Sequence, residues 1–214
     1  DGRRVFDTRI TSEAEAGLKR NHYSARIELR SDWPDEVPVV PVDLREVDPI
    51  PGDRLYEEGV LFHGPSFRGV RRVLRLDEKG LIAECRLPAI PRHVQGQFPV
   101  QTFNPYMADV QLQSLLIWAH HTYGYGGLPL KIQGSTYYRN PAFGETTYAS
   151  LAVRSHAEHR LVADVTIHDG DGQVFGKVTG AEITMSPRLN ALFAQNERVG
   201  RSAPLPQDAI RGAV

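Results

Sequence analysis

Asn104-Pro105-Tyr106-Met107-Ala108-Asp109-Val110-Gln111-Leu112-Gln113-Ser114-Leu115-Leu116-Ile117-Trp118-Ala119 is the only long apolar helix pattern in a sequence that otherwise alternates like β-sheet. Asn104 belongs to the residue types that cap a helix start, and Pro105 suits the first helical position, where no backbone donor is needed. From Val110 to Ala119 apolar residues lie on nearly all sides, which predicts a buried central helix rather than a one-faced surface helix. Asp109 stands apart in that setting. A carboxyl near the start of a buried helix is costly unless it is paired, hydrogen-bonded or protonated. Gln113, four residues on, shares its face and lies within reach. The two read as an acid and its orienting partner; the plainer alternative is a helix-start carboxylate favoured by the helix dipole.

On either side of this helix the periodicity is two. Val5 to Ile10 and Tyr23 to Leu29 read as strands, joined by the polar stretch Thr11 to Asn21. Pro34, Pro38, Pro41, Pro49 and Pro51 then interrupt any regular element and mark a linker, after which Asp53 to Glu58 suits one helical turn. Strand patterns follow at Gly69 to Leu76 and Leu81 to Leu87, and a loop from Pro88 to Pro99 leads to the helix. Beyond it Leu128 to Tyr138, Thr146 to Ser155, Leu161 to His168 and Val174 to Met185 are strand-like, and a short helix is expected at Leu189 to Gln195. Two strands, one long buried helix and four consecutive strands predict an α+β hot-dog fold, a curved antiparallel sheet wrapped around the helix. The division expected is 1–31 as the last strands of a preceding hot dog, 32–52 as linker, 53–195 as a hot dog and 196–214 as a tail. Two strands do not make a stable domain alone, and a start at Asp1 reads as a piece of a longer polypeptide.

Composition narrows the function classes. The 214 residues can bury a real core, and a net charge of -1 offers no basic footprint for nucleic acid. No run approaches the roughly 20 apolar residues that span a bilayer, so a soluble, cytoplasmic protein is expected. The single cysteine, Cys85, sits in a strand pattern and reads as core. Asp169-Gly170-Asp171-Gly172 is a hairpin turn, lacking the further ligands of a calcium loop. His156 and His159 lack partners at metal spacing. No metal or redox cofactor is expected.

Three motifs, in order, resemble those of polyketide synthase and polyunsaturated fatty acid synthase dehydratase domains. Phe62-His63-Gly64-Pro65-Ser66-Phe67 resembles a tyrosine-glycine-proline-x-phenylalanine motif, with His63 where tyrosine is common. Asp109-Val110-Gln111-Leu112-Gln113 matches Asp-x-x-x-Gln, and Leu128-Pro129-Leu130-Lys131-Ile132 resembles leucine-proline-phenylalanine-x-tryptophan with two departures. The resemblance covers roughly Leu55 to Leu192 and implies the C-terminal half of a double hot dog.

It further implies elimination of water from a β-hydroxyacyl chain on the phosphopantetheine arm of an acyl carrier protein. Asp109 would be the acid and Gln113 would fix its rotamer. His63, Gly64, Pro65, Phe67, Tyr106, Leu128 and Pro129 would bind substrate. Phe67 and Tyr106 also fit the core, and His63 also fits a plain turn position. The family's base is a histidine in a His-x-x-x-Gly-x-x-x-x-Pro motif of the first half. His120, Gly124 and Pro129 meet that spacing, but they follow the aspartate, and the glycines read as a helix stop. The chain alone is therefore expected to be inactive or impaired. Partners implied are the carrier protein and other domains of the parent synthase, with a homodimer open. The alternatives are a non-catalytic hot-dog module that binds acyl chains or carrier protein, and a hot-dog thioesterase.

Overall fold

The computed structural model of the chain describes residues 2–13, 19–95, 100 and 103–193. These form two units, divided between Glu36 and Val37. In the first, β1 (Arg4–Glu13) pairs antiparallel with β2 (Lys19–Leu29). The register places Phe6 opposite Ile27 and Ile10 opposite Tyr23 on one face, and Asp7 opposite Arg26 on the other. These four apolar residues, and Leu29 on the same face, are exposed within this two-stranded ribbon.

The second unit is built on the expected helix. Its helix α2 (Pro105–Tyr123) starts where the cap predicts, because the Asn104 side chain accepts hydrogen bonds from the backbone N–H groups of Tyr106 and Met107. It stops at Gly124, whose φ of 68° is the left-handed conformation that suits glycine and whose N–H donates to the His120 carbonyl. Five consecutive residues, Leu115 to Ala119, are buried, so the helix is enclosed on every side and not laid on a surface. Trp118 is fully buried, and its indole N–H donates to the Asp77 carbonyl at 2.9 Å, satisfying its one polar atom.

Around α2 runs an antiparallel sheet of eight strands. The chain enters it through β3 (Ile50–Pro51) and a short helix α1 (Gly52–Glu57). Next come β4 (Val70–Asp77) and β5 (Gly80–Arg86), and after α2 come β6 (Gly126–Lys131), β7 (Gly134–Tyr137), β8 (Thr146–Ala157), β9 (Arg160–His168) and β10 (Val174–Ser186). The strand order is β3-β4-β5-β8-β9-β10-β6, with β7 also on β10. The helix packs against β4, β5, β6, β8, β9 and β10, which gives the hot-dog arrangement. Ala149 and Leu151 of β8 and Leu161, Ala163 and Val165 of β9 face the helix and are buried. Cys85 is buried beside them, as expected.

One expected element divides. The single strand at Leu128 to Tyr138 is two, broken at Ile132 and Gln133, so five strands follow the helix. The cause lies on the partner: β10 bulges between Val178 and Ala181, with Gly180 at φ 57°. There the Gln133 N–H reaches both the Thr179 and Gly180 carbonyls, and the ladder resumes only at Gly134. Residues 187–193 are helical, and the rest of the helix expected to Gln195, like the tail 196–214, lies outside the described residues.

Candidate functional site

The start of α2, the turn after α1 and strand β6 enclose an open cavity of about 260 Å³, lined by Phe62, His63, Phe67, Asp109, Leu112, Gln113, Leu116 and Pro129. The turn is rigid for local reasons. Pro65 opens a single helical turn over Pro65–Phe67, and the Phe67 N–H closes it on the Gly64 carbonyl at 2.9 Å. Arg68 extends the fixation by donating from Nε to the His63 carbonyl at 3.2 Å. The ring of Phe62 lies stacked on that of His63, their centres 4.5 Å apart, with Phe193 on Phe62 at 4.3 Å.

Asp109 faces this cavity from the first turns of α2, its side chain about a quarter exposed (26%). The fully buried Gln113 donates from Nε2 to Asp109 Oδ2 at 2.7 Å and to the Phe67 carbonyl at 2.7 Å. Its Oε1 accepts from the Tyr56 hydroxyl at 2.8 Å, and the Tyr56 oxygen in turn accepts from the Val70 N–H at 3.0 Å. Burial pushes the Tyr56 phenol well above its ordinary pKa, so it stays a donor. His63 brings Nε2 to 3.5 Å from Asp109 Oδ2, while its Nδ1 is buried with no hydrogen-bond partner among the described residues. Burial holds the imidazole pKa below its ordinary 6.5, against the pull of the Asp109 charge, so the ring is neutral at neutral pH.

Of the residues singled out in the sequence, Asp109, Gln113, His63, Phe67 and Pro129 line the cavity together. Gly64 and Pro65 do not; they shape the turn that delivers His63 and Phe67. Tyr106 is buried behind Phe67, with ring centres 4.8 Å apart, and also meets Phe143, so it packs in the core layer beneath the site. Leu128 is outside the lining and exposed, because the period of two along β6 turns it away when Pro129 faces the cavity. Phe62, Leu112, Leu116 and Tyr56 were not singled out. Leu112 and Leu116 continue the face of Asp109 at helical spacing, a signal the sequence does carry. Tyr56 carries none, since its partner is 57 residues away.

His120 lies in the last turn of α2 and is absent from the cavity lining. His156 Nδ1 is 2.7 Å from the Tyr123 hydroxyl. Asp169 caps its own turn, with Oδ1 accepting from the N–H groups of Asp171 and Gln173. No group of three or more His, Cys, Asp or Glu among the described residues could hold a metal ion. No helix among them is long and apolar enough to cross a membrane.

Residues 32–192 match the family described as the polyketide synthase dehydratase N-terminal domain. One polyunsaturated fatty acid synthase polypeptide of Thraustochytrium sp. is 28% identical over 141 residues, which is 64% of this chain and 5% of that protein. Polyketide synthase GfsE of Streptomyces halstedii is 29% identical over 231 residues, covering 97% of this chain and 6% of that protein. The chain thus spans only a small fraction of these curated relatives. Among solved structures, the dehydratase domain from the CurJ module of curacin polyketide synthase superposes with a TM-score of 0.65 at 18% identity, over 87% of this chain and 66% of that one. A trans-AT polyketide synthase dehydratase domain from Brevibacillus brevis gives 0.65 at 17%, over 86% and 66%. At these identities the likeness is one of fold, and it is to the hot-dog structures of dehydratases. With three quarters of its length matched by the family's own pattern, this chain belongs to the polyketide synthase dehydratase family.

Proposed function

We propose that the chain is the acid-bearing, C-terminal half of a double hot-dog dehydratase within a modular polyketide or polyunsaturated fatty acid synthase. It would act as a hydro-lyase on a β-hydroxyacyl thioester carried by an acyl carrier protein. The observation that carries this is the carboxyl of Asp109, facing a mostly apolar cavity and held through Oδ2 by the buried amide of Gln113 at 2.7 Å. A group so held keeps one rotamer and one oxygen committed, which is what a positioned proton donor requires.

In the elimination, a base removes the proton from the α-carbon and the electron pair becomes the α,β double bond. The bond from the β-carbon to oxygen breaks, and Asp109 passes its proton to the departing hydroxyl, which leaves as water. The resulting carboxylate is supported by the N–H of Gln113. Phe62, Phe67, Leu112, Leu116 and Pro129 offer apolar walls to the acyl chain and exclude water from the reacting carbons. The base is read as a histidine of the first hot-dog half. A cavity of about 260 Å³ is smaller than the roughly 300–1,000 Å³ of complete ligand pockets, in keeping with a site finished by another half. A carrier protein and neighbouring synthase domains are the partners this reading requires.

The test is mass spectrometry of a β-hydroxyacyl carrier protein incubated with the chain, alone and with a histidine-bearing first half, in wild-type and Asp109→Asn forms. Water loss by the wild type with the first half present, slowed about 10²–10⁴-fold by the substitution, is the expected outcome. Equal rates would sink the role of Asp109. Release of the free hydroxy acid instead would point to a thioesterase.

A further inference from the structure

Gln113 poses a question of polarity. An amide can turn over with little steric change, exchanging its oxygen and nitrogen. In one orientation it offers an N–H to Asp109; in the other it offers an oxygen, which would face the carboxyl's own lone pairs. Something must choose between them.

The chain of hydrogen bonds behind Gln113 makes that choice. The Val70 N–H can only donate, and it donates to the Tyr56 hydroxyl oxygen at 3.0 Å. The Tyr56 hydrogen is thereby directed onward to Gln113 Oε1 at 2.8 Å. With its oxygen engaged, Gln113 presents Nε2 to the Phe67 carbonyl and to Asp109 Oδ2, both at 2.7 Å. Each of its polar atoms then meets a partner of the right kind. In the opposite orientation the amide oxygen would confront two acceptors, and the amide nitrogen would confront a hydroxyl whose lone pair is shared with Val70.

We propose that Tyr56 is a positioning residue that fixes the orientation of the Gln113 amide and so commits Asp109 Oδ2 to accepting a hydrogen bond, leaving Oδ1 to carry the transferable proton. This rests on the reading of Asp109 as the acid. The geometry behind Tyr56 is stiff. The residue is 2% exposed on α1, and α1 is pressed so closely on β4 that a Cβ at Gly52 would lie 2.2 Å from the Val70 carbonyl oxygen. The hydroxyl therefore cannot drift from the Val70 N–H, and the directionality begins at a backbone group that side-chain motion does not disturb.

Tyr56→Phe removes the hydroxyl and keeps the ring. Two measurements decide. The first is independent of catalysis: proton–nitrogen NMR of the Gln113 side-chain amide in this chain, assigned by its loss in Gln113→Ala. In the wild type both amide protons should be distinct and protected from exchange. In Tyr56→Phe, folded by its thermal transition, exchange should quicken at least tenfold as the amide begins to turn over. Unchanged protection would overturn the proposal, whatever the activity. So would an unprotected amide in the wild type.

The second is a double-variant cycle on water elimination, in the assay with the first half present. Tyr56→Phe should lower kcat about tenfold with KM unchanged, and should add nothing in a Gln113→Ala background, because it acts only through Gln113. A full tenfold loss in that background, or a change confined to KM, would show a merely structural role. Absence of water loss in every form, the wild type included, would instead refute the dehydratase reading, and the amide measurement would still judge Tyr56.

Discussion

Replacing Gln113 by leucine tests whether the network behind Asp109 is as buried and as dependent on one side chain as the geometry indicates. Leucine keeps much of the bulk and removes all three hydrogen bonds. Asp109 can turn to water through its exposed quarter, so it adds little. The Tyr56 hydroxyl, on a residue 2% exposed, loses its acceptor, and the part-buried Phe67 carbonyl loses this donor. The Phe67 carbonyl keeps the Gly69 N–H at 2.9 Å, so the Tyr56 O–H alone is left unpaired, at a cost of about 1–3 kcal/mol. The lower half of that range is expected, because the Tyr56 oxygen keeps the Val70 N–H and the leucine methyl groups gain some burial. Against a typical stability of about 5–15 kcal/mol the variant still folds.

Urea denaturation followed by tryptophan fluorescence measures the difference. A loss smaller than about 0.5 kcal/mol, the range of an unconstrained surface change, would refute the burial argument. Gln113→Glu sharpens the test. It keeps an acceptor for Tyr56 and buries a carboxyl group at a position 0% exposed, facing the Phe67 carbonyl, so loss of hydration raises the folded-state pKa of the introduced group above its unfolded value. The folded form then binds the proton more tightly, so the variant should be least impaired at low pH and lose stability as pH rises through the shifted value.

Further outcomes follow from burial and close packing. Desolvation lowers the imidazole pKa values of His63, His120 and His168 below 6.5. The unfolded chain then takes up protons that the folded chain refuses, so stability is full above pH 6.5 and declines as pH falls below it. Urea midpoints at pH 7.5 and 5.0 should differ in that direction, before carboxylates with depressed values such as Glu182 and Asp169 begin to contribute. Identical midpoints would contradict it. Gly52→Ala places a methyl against the Val70 carbonyl and Arg71 backbone; an overpacked site of this kind costs about 1–3 kcal/mol, read as a lowered thermal midpoint. The same variant should disturb Tyr56, seen as faster exchange of the Gln113 side-chain amide.

What could be read from the amino acids alone was whatever depends on near neighbours. The helix was legible with both its ends, since Asn104, Pro105 and Gly124 act on backbone groups within a turn of themselves. Its burial was legible because the unbroken run from Leu115 to Ala119 leaves no face for water. Asp109 and Gln113 could be paired because a spacing of four brings two side chains onto one face of any helix. The hot-dog order of strands followed from periodicity and turn residues. The break at Ile132 was not visible, because it is imposed by a bulge at Gly180, nearly fifty residues later on the neighbouring strand.

Folding decided what surrounds Asp109. Tyr56 reaches Gln113 across 57 residues and Phe67 reaches it across 46, and no local periodicity encodes such separations. His63 could be named from its motif, but its 3.5 Å approach to Asp109 and its unpartnered Nδ1 exist only once the Gly64–Phe67 turn is seated on the helix. Gly64 and Pro65 could be named too, yet whether they touch a ligand or shape the turn depends on which way the turn faces. Helical spacing fixed the pairing of Asp109 with Gln113; the side of the Gln113 amide that meets Asp109 depends on the tertiary packing that brings Tyr56 and the Val70 N–H behind it, because a hydrogen bond's direction is inherited from the donor at the far end of its chain.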